Sequence, residues 1–394
     1  MFQQLINHSP DLQKLRNDGY ELQKNGGYLC IHHIPYLNSA KELKYGSLVT
    51  QLDTDVKGLK TVKPHNHVIY FIGEAPCHQN GTAMKALINQ TANSKLLEGL
   101  TVNHTFSSRP ADGYSDYYHK VTTYVELISA PARSVNPKVT ACTFNIIPDE
   151  EESSVFNYYD TNSSRANIEL LNNKLKGQKI AIIGIGGTGG YLLDLLSKTP
   201  VSEIHMFDGD NFLQHNSFRA PGAASVDCFG DDKKSKVNYF ADIYSHMHKG
   251  IFRHSYYLTE DNLHELDAFT FVFICVDKSK VRKMVIDYLL AKGIAFIDVG
   301  LGVNVIDGAI TGLIRTTMGT PQKFDHIEKR IPGDDDDNND YHTNVQIAEL
   351  NMYNAVQAIM KWKKFLGFYH DTLHEHDSCF IIDQSKIINE DTET

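Results

Sequence analysis

The sequence predicts an α/β domain with a doubly wound, mostly parallel sheet over residues 178–370, preceded by a smaller α+β domain over 1–150. Three observations carry this expectation. From Lys179 onward, short apolar runs alternate with helix-patterned runs, the order that a parallel sheet covered on both faces requires. The first apolar run passes through a glycine-rich turn directly into a helix-patterned segment. Between the halves lies PDEEESSVFNYYDTNSSRAN (148–167), poor in aliphatic residues and therefore linker-like. Residues 151–177 read as linker and helix, and 371–394 as a polar tail.

Composition narrows the classes of function. A formal net charge of −10 argues against nonspecific binding to nucleic acid or an anionic membrane, both of which favour a basic surface. No apolar run reaches the roughly 18–20 residues of a membrane span. The N-terminal MFQQLINHSPDLQKLRND does not pair a basic segment with an apolar run, so a cytoplasmic protein is expected. Cysteines fall at 30, 77, 142, 228, 275 and 379 without a CxxC pair, which argues against a zinc knuckle, a redox pair or a disulfide framework.

In the first half, Ser9 and Pro10 open a helix through Leu22, as N-cap and first helical residue. Strand-like runs follow at Tyr28–His33, Gly46–Leu52 and His67–Ile72, and a further β-rich run at Val121–Ile128. In the second half the strands are Lys179–Ile183, Glu203–Phe207, Thr270–Val276 and Ala295–Val299. Helices are expected at Gly190–Lys198, through Val281–Leu290, and at Asn344–Phe365. The run from Asp334 to Asp340 reads as an exposed acidic loop.

The chemistry is concentrated after the first strand of the second half. KIAII runs into GIGGTGG, where Gly184 permits the tight turn, Gly186 and the adjoining Gly187 let the backbone approach a phosphate, and Gly189 lets helix pack on strand. The helix then presents free N–H groups and its positive dipole end to an anion. The next strand ends at Asp208, placed to bind ribose hydroxyls in a Rossmann-like fold. A nicotinamide-dependent oxidoreductase fits equally well to this point. Asp210 adds a second acid, and Asn216, Arg219 and Lys236 add an amide and two cations, which suit a triphosphate. Asp277 ends the strand FVFICV, where a carboxylate can hold Mg²⁺ against ATP phosphates.

GIGGTGG, DGDNFLQHNSFR, KVNYF and VDKSKVR together resemble the adenylyltransferases that activate ubiquitin-like proteins, including the ThiF, MoeB and HesA types, over roughly 165–370. The resemblance implies ATP and Mg²⁺ as cofactors, with Asp208 at the ribose, Asn216, Arg219 and Lys236 at the phosphates, and Asp277 at the metal. It implies a structural role for Arg282, and a homodimer in which Arg165 reaches the partner subunit's ATP. The implied partner is a ubiquitin-like protein with a C-terminal glycine, followed by a ubiquitin-conjugating-like or sulfur-carrier protein. The reaction implied is attack of the C-terminal carboxylate on the α-phosphate, which needs no general base because the carboxylate is already ionised.

The chain also departs from that pattern. Ala220 stands where glutamine is usual, the Arg219–Lys236 spacing is long, and no cysteine lies between Asp277 and Asp371. Cys228 is the best thiol candidate and Cys379 the next, so the enzyme either stops at the acyl-adenylate or transfers it. In the first half, His65, His67, Cys77 and His78 share one segment, a conceivable but unmatched zinc spacing. That half resembles an accessory domain fused to bacterial ThiF-like proteins, for partner docking, with a distant likeness to ubiquitin-conjugating folds. A NAD(P)-dependent oxidoreductase using His342, and a non-catalytic scaffold, are the competing readings.

Overall fold

The structure, a computed structural model, describes residues 2–56, 58–145, 154–158, 160, 162–163, 166, 168–230, 233–331 and 345–392. The chain divides into two compact units, Met1–Glu152 with Tyr158–Glu169, and Ser153–Asn157 with Leu170–Thr394. Arg165, His342 and the acidic loop Asp334–Asp340 lie outside the described residues.

The first unit opens with helices α1 (Phe2–His8) and α2 (Pro10–Asn17). Six strands follow: β1 (Leu22–Asn25), β2 (Tyr28–Leu37), β3 (Leu43–Gln51), β4 (Val68–Ile72), β5 (Ile88–Leu97) and β6 (Leu100–Ser107). They form an antiparallel sheet in the order β1-β2-β3-β4-β6-β5. Helix α3 (Tyr117–Val135) packs on β2, and the Asp116 side chain caps it by accepting the His119 N–H. The β-rich run expected at Val121–Ile128 is therefore helical. Its apolar residues, Val121, Tyr124, Val125 and Ile128, recur at helical spacing and are buried against the sheet, so period outweighs the strand preference of valine and tyrosine.

The segment with His65, His67, Cys77 and His78 does not assemble a metal site. His65 Nδ1 pairs with Asp53 at 2.7 Å, His67 bonds Ser107, and Cys77 is buried with its thiol on the Ala75 carbonyl. No cluster of three metal-ligating side chains occurs among the described residues.

The second unit carries an eight-stranded sheet in the order β14-β13-β12-β11-β10-β7-β8-β9. Its parallel part is β7 (Lys179–Ile183), β8 (Glu203–Phe207), β9 (Ile251–His254), β10 (Phe271–Ile274) and the start of β11 (Phe296–Ile306). Strands β12 (Ala309–Gly319), β13 (Glu375–Ile381) and β14 (Lys386–Thr392) continue it antiparallel. The sheet is mixed, with the doubly wound arrangement in its parallel part. Helices α4 (Gly187–Leu196), α5 (Lys236–Tyr244) and α7 (Ala348–Phe365) share one core with the sheet, and α6 (Ser279–Lys292) belongs to another. The period-2 alternation of β7 explains this: Ile180 and Ile182 enter the first core, Ala181 and Ile183 the second. Among the described residues no helix is long and apolar enough to cross a membrane.

The tail expected after residue 370 is instead two strands of this sheet. Its acids are neutralised inside the fold: Glu375 lies 2.8 Å from Lys364 and 3.7 Å from Lys361, and Asp377 accepts a 2.6 Å hydrogen bond from Thr317. The helix expected from Asn344 begins at Ala348, and residue 344 is outside the described set.

Candidate functional site

Strand β7 lies between β10 and β8, so the chain order reverses beside it, and such a switch point opens a crevice at the strand C-termini. A cavity of about 310 Å³ occupies that place, lined by residues that follow β7, β8 and β10, by β11 and β12, and by α7.

The glycine turn is fixed by close approach. Gly184 has φ +89°, and a Cβ there would meet the Cys275 carbonyl oxygen at 2.8 Å. At Gly189 a Cβ would stand 2.0 Å from the Gly184 carbonyl oxygen. Gly186 is different: nothing lies within 4 Å of its Cβ position, and it caps α4 with the amides of the first turn behind it. A ligand can therefore reach those amides without meeting a side chain at 186. A Cβ on Gly187 would run into Asn351, at 2.2 Å.

Asp208 is buried and braces the turn. One carboxylate oxygen accepts the Ile185 N–H and the other the Asp210 N–H, each at 2.8 Å. Lys236, the first residue of α5, reaches Asp210 at 2.6 Å and Asp208 at 3.6 Å. Asp210 also accepts the Tyr257 hydroxyl. Burial works to raise the Asp210 carboxyl, but the Lys236 and Tyr257 hydrogen bonds outweigh it and hold it below the usual carboxylate range. Tyr257 lies flat against Gly209, where a Cβ would meet its ring at 2.7 Å, with the Lys278 ammonium 5.4 Å from the ring centroid.

Arg219 lines the cavity, half-buried, and its Nε is buried without a hydrogen-bond partner. Burial pushes its pKa below the usual arginine value, opposed by the field of Asp277. No carboxylate lies within ion-pair distance of it among the described residues. Asp277 is exposed at the end of β10 and lines the same cavity. A guanidinium and a carboxylate left over in one cavity are the pattern expected for an anionic ligand with its counter-cation.

Not every expected residue faces this cavity. Asn216 is buried and outside the cavity wall; its Oδ1 accepts the Leu213 N–H at 2.8 Å, and its carbonyl accepts the Arg219 N–H. These contacts form the turn that presents Arg219, while the Asn216 Nδ2 is buried without a hydrogen-bond partner among the described residues. Cys228 packs at the edge of the first core and does not line the cavity. Cys379 is on β13, its thiol pushed up by burial and by Asp377. Cys275 does line the cavity, but burial drives its thiol pKa far up. Arg282 does line the cavity, but its guanidinium is engaged in the fold: it reaches Asp298 at 3.2 Å, and Asp298, with 0% exposure, also takes Arg315 at 2.5 Å.

No motif in the sequence points directly to Tyr257, Arg315 or Asn351, which line the cavity. A signal for Asn351 existed: Asn351 and Asn354, like Lys361, are polar residues on a buried helix face that also carries Ala355, Ala358, Ile359 and Trp362.

Residues 159–368, more than half of the chain, match the ThiF family. The chain belongs to that family. Residues 10–161 match a domain of unknown function, DUF6791. Similar solved structures include E. coli MccB with ATP, at 18% identity over 58% of this chain and 70% of that one, TM-score 0.47. Others are E. coli MccB with succinimide (22%, 57% and 66%, 0.44) and the microcin C7 biosynthetic enzyme MccB with N-formylated MccA (19%, 58% and 70%, 0.46). The chain thus spans about two-thirds of the length of those structures. No curated protein matches it. The expected partners, a ubiquitin-like protein with a C-terminal glycine and a conjugating or sulfur-carrier protein, are corrected here: the partner named in the MccB structures that hold one, as in the complex with N-formylated MccA, is MccA.

Proposed function

We propose that this chain uses ATP to adenylate a carboxylate on a peptide or protein acceptor, releasing pyrophosphate. The observation that carries this reading is the unpaired Arg219 guanidinium beside the open glycine turn, in one cavity with Lys236 and the unpaired Asp277. The first-turn amides of α4 and the Arg219 and Lys236 side chains bind the phosphates, and Asp208 with Asp210 takes the ribose hydroxyls. An acceptor carboxylate oxygen forms a bond to the α-phosphorus while the bond to pyrophosphate breaks. The acceptor is already ionised, so these residues position the reactants and spread the phosphate charge. Asp277 fits Mg²⁺, which when bound would neutralise phosphate charge; a single carboxylate with phosphate oxygens and waters is an ordinary magnesium environment.

Among the described residues the thiol in the cavity wall is Cys275, which burial keeps protonated, and this favours release or direct transfer of the acyl-adenylate over a thioester on this chain. ATP–pyrophosphate exchange tests the proposal, using a pool of short synthetic peptides with free carboxyl termini against the same pool amidated. Exchange with the first pool alone is the expected result. Tight NAD binding with no exchange in either pool would overturn it in favour of an oxidoreductase.

A further inference from the structure

Among the described residues, Arg219 is a charged group of the cavity without a charged partner of its own. Its guanidinium has no ion pair among the described residues and its Nε no partner, so its direction is set by the backbone that carries it. That backbone is held at two points: the Arg219 N–H donates to the Asn216 carbonyl at 3.1 Å, and the Arg219 carbonyl accepts from Asn351 Nδ2 at 3.4 Å.

Asn351, on the first turn of α7, is 1% exposed. A buried amide is costly unless its hydrogen bonds are met, and all of these are. Its second Nδ2 hydrogen goes to the Ile347 carbonyl at 3.1 Å, and its Oδ1 accepts the Thr188 hydroxyl at 2.9 Å. It also fills the space beside Gly187, leaving no room for a side chain there. One side chain thus ties the glycine turn, the first turn of α4 and the Arg219 backbone to a helix that belongs to none of them. Three residues on, Asn354 makes a parallel set of contacts to the other cavity wall, donating to the Gly300 carbonyl at 3.2 Å and accepting from Thr316 at 3.3 Å.

We propose that Asn351 is the positioning residue that aims Arg219 at the phosphates of a nucleotide seated on the glycine turn. This rests on the ATP reading above and adds to it the element that sets the geometry. Asn351 touches neither phosphate nor acceptor in this role; it acts through Arg219 and Thr188.

A double-mutant cycle tests it, with ATP affinity measured by titration calorimetry on the full chain. Asn351→Ala raises the ATP Kd about tenfold in the wild-type background, the size expected when about one hydrogen bond between Arg219 and a phosphate is lost for want of aim. In an Arg219→Ala background the same change costs less than about twofold, because the group it aims is gone. A merely structural role predicts the same loss in both backgrounds, and that result overturns the proposal, as does a wild-type-like Kd in Asn351→Ala. If Asn351→Ala does not fold, Thr188→Val removes the Oδ1 partner with little change of shape and is taken through the same cycle, with Thr188→Ser restoring affinity. A second readout covers binding too weak to titrate in Arg219→Ala. ATP protects Arg219 from phenylglyoxal in the wild type, and that protection is lost in Asn351→Ala; retained protection overturns the role. Wild-type protein that binds no ATP would instead overturn the nucleotide reading itself, and with it this inference.

Discussion

Two glycines of the same turn should fail in opposite ways when given a methyl group. At Gly189 the new Cβ would lie 2.0 Å from the Gly184 carbonyl oxygen and 3.0 Å from its carbon, far inside the 3.4 Å where ordinary contact begins. Both atoms are backbone, so the strand–turn–helix unit must open to admit it. Overpacking of this kind costs about 3 kcal/mol, the upper part of the usual range, because no flexible side chain can give way. For a domain of this size that lowers the melting temperature by roughly 6–12 °C. At Gly186 the methyl group meets nothing within 4 Å. Gly186→Ala should melt within about 2 °C of wild type yet lose ATP affinity by at least about tenfold, because the methyl group blocks the phosphate's approach to the amides. Thermal melts with and without Mg-ATP separate the two. A wild-type melt for Gly189→Ala, or a full ATP-induced rise for Gly186→Ala, would refute this division of roles.

Further outcomes follow from the same geometry. Arg219→Ala should weaken ATP about 10–100-fold, as loss of charge-assisted hydrogen bonds does, while its melt without nucleotide stays at or above wild type; calorimetry and a thermal scan check both. Arg282→Met breaks a buried ion pair beside Asp298 and should cost about 3 kcal/mol, read as a lower urea midpoint, and an unchanged midpoint would show that Arg315 alone satisfies Asp298. His248 accepts the Gly250 N–H on Nδ1 and bonds the Val201 carbonyl through Nε2, and burial lowers its pKa to about 4. Below the unfolded value of 6.5 the unfolded chain therefore takes up a proton that the native chain refuses, and stability falls as pH drops from 6.5 to 4, by about 3 kcal/mol in all. Urea midpoints at pH 7 and 4.5 should show this slope in wild type and a shallower one in His248→Asn. Cys228→Ser should leave ATP affinity unchanged, because that thiol is outside the cavity wall.

The parts of this protein that the sequence made legible are those whose cause is local. KIAII-GIGGTGG-YLLDLL carries its strand, turn and helix within eighteen residues, and the closest approach, of a Cβ at Gly189 to the Gly184 carbonyl oxygen, lies inside that segment. Asp208 and Asp277 were legible because strand C-termini are where such folds place ligands. Illegible features depend on partners distant in sequence. The charges of Glu375 and Asp377 read as a solvated tail, since nothing near them reveals Lys361, Lys364 or Thr317. Asn216 has the residue type of a phosphate ligand, and its turn-forming contacts with the Leu213 and Arg219 backbone are visible only in the fold. The helix face that carries Asn351 marks it as unusual, but its partner Thr188 lies 163 positions away in sequence, so no spacing rule names what it holds. The Val121–Ile128 error had a local remedy, because a helical period was present beneath the strand-favouring residue types.

The central claim is that an acceptor carboxylate attacks the α-phosphorus of ATP, and the fate of oxygen tests it most directly. Free-carboxyl peptides labelled with ¹⁸O in the carboxylate are incubated with the protein, Mg-ATP and hydroxylamine to capture the acyl group, and the nucleotide product is weighed. Adenylation predicts AMP carrying one ¹⁸O, because the bridging oxygen leaves with the phosphate when hydroxylamine attacks the carbonyl carbon. Unlabelled AMP, or ADP as the product, would contradict it.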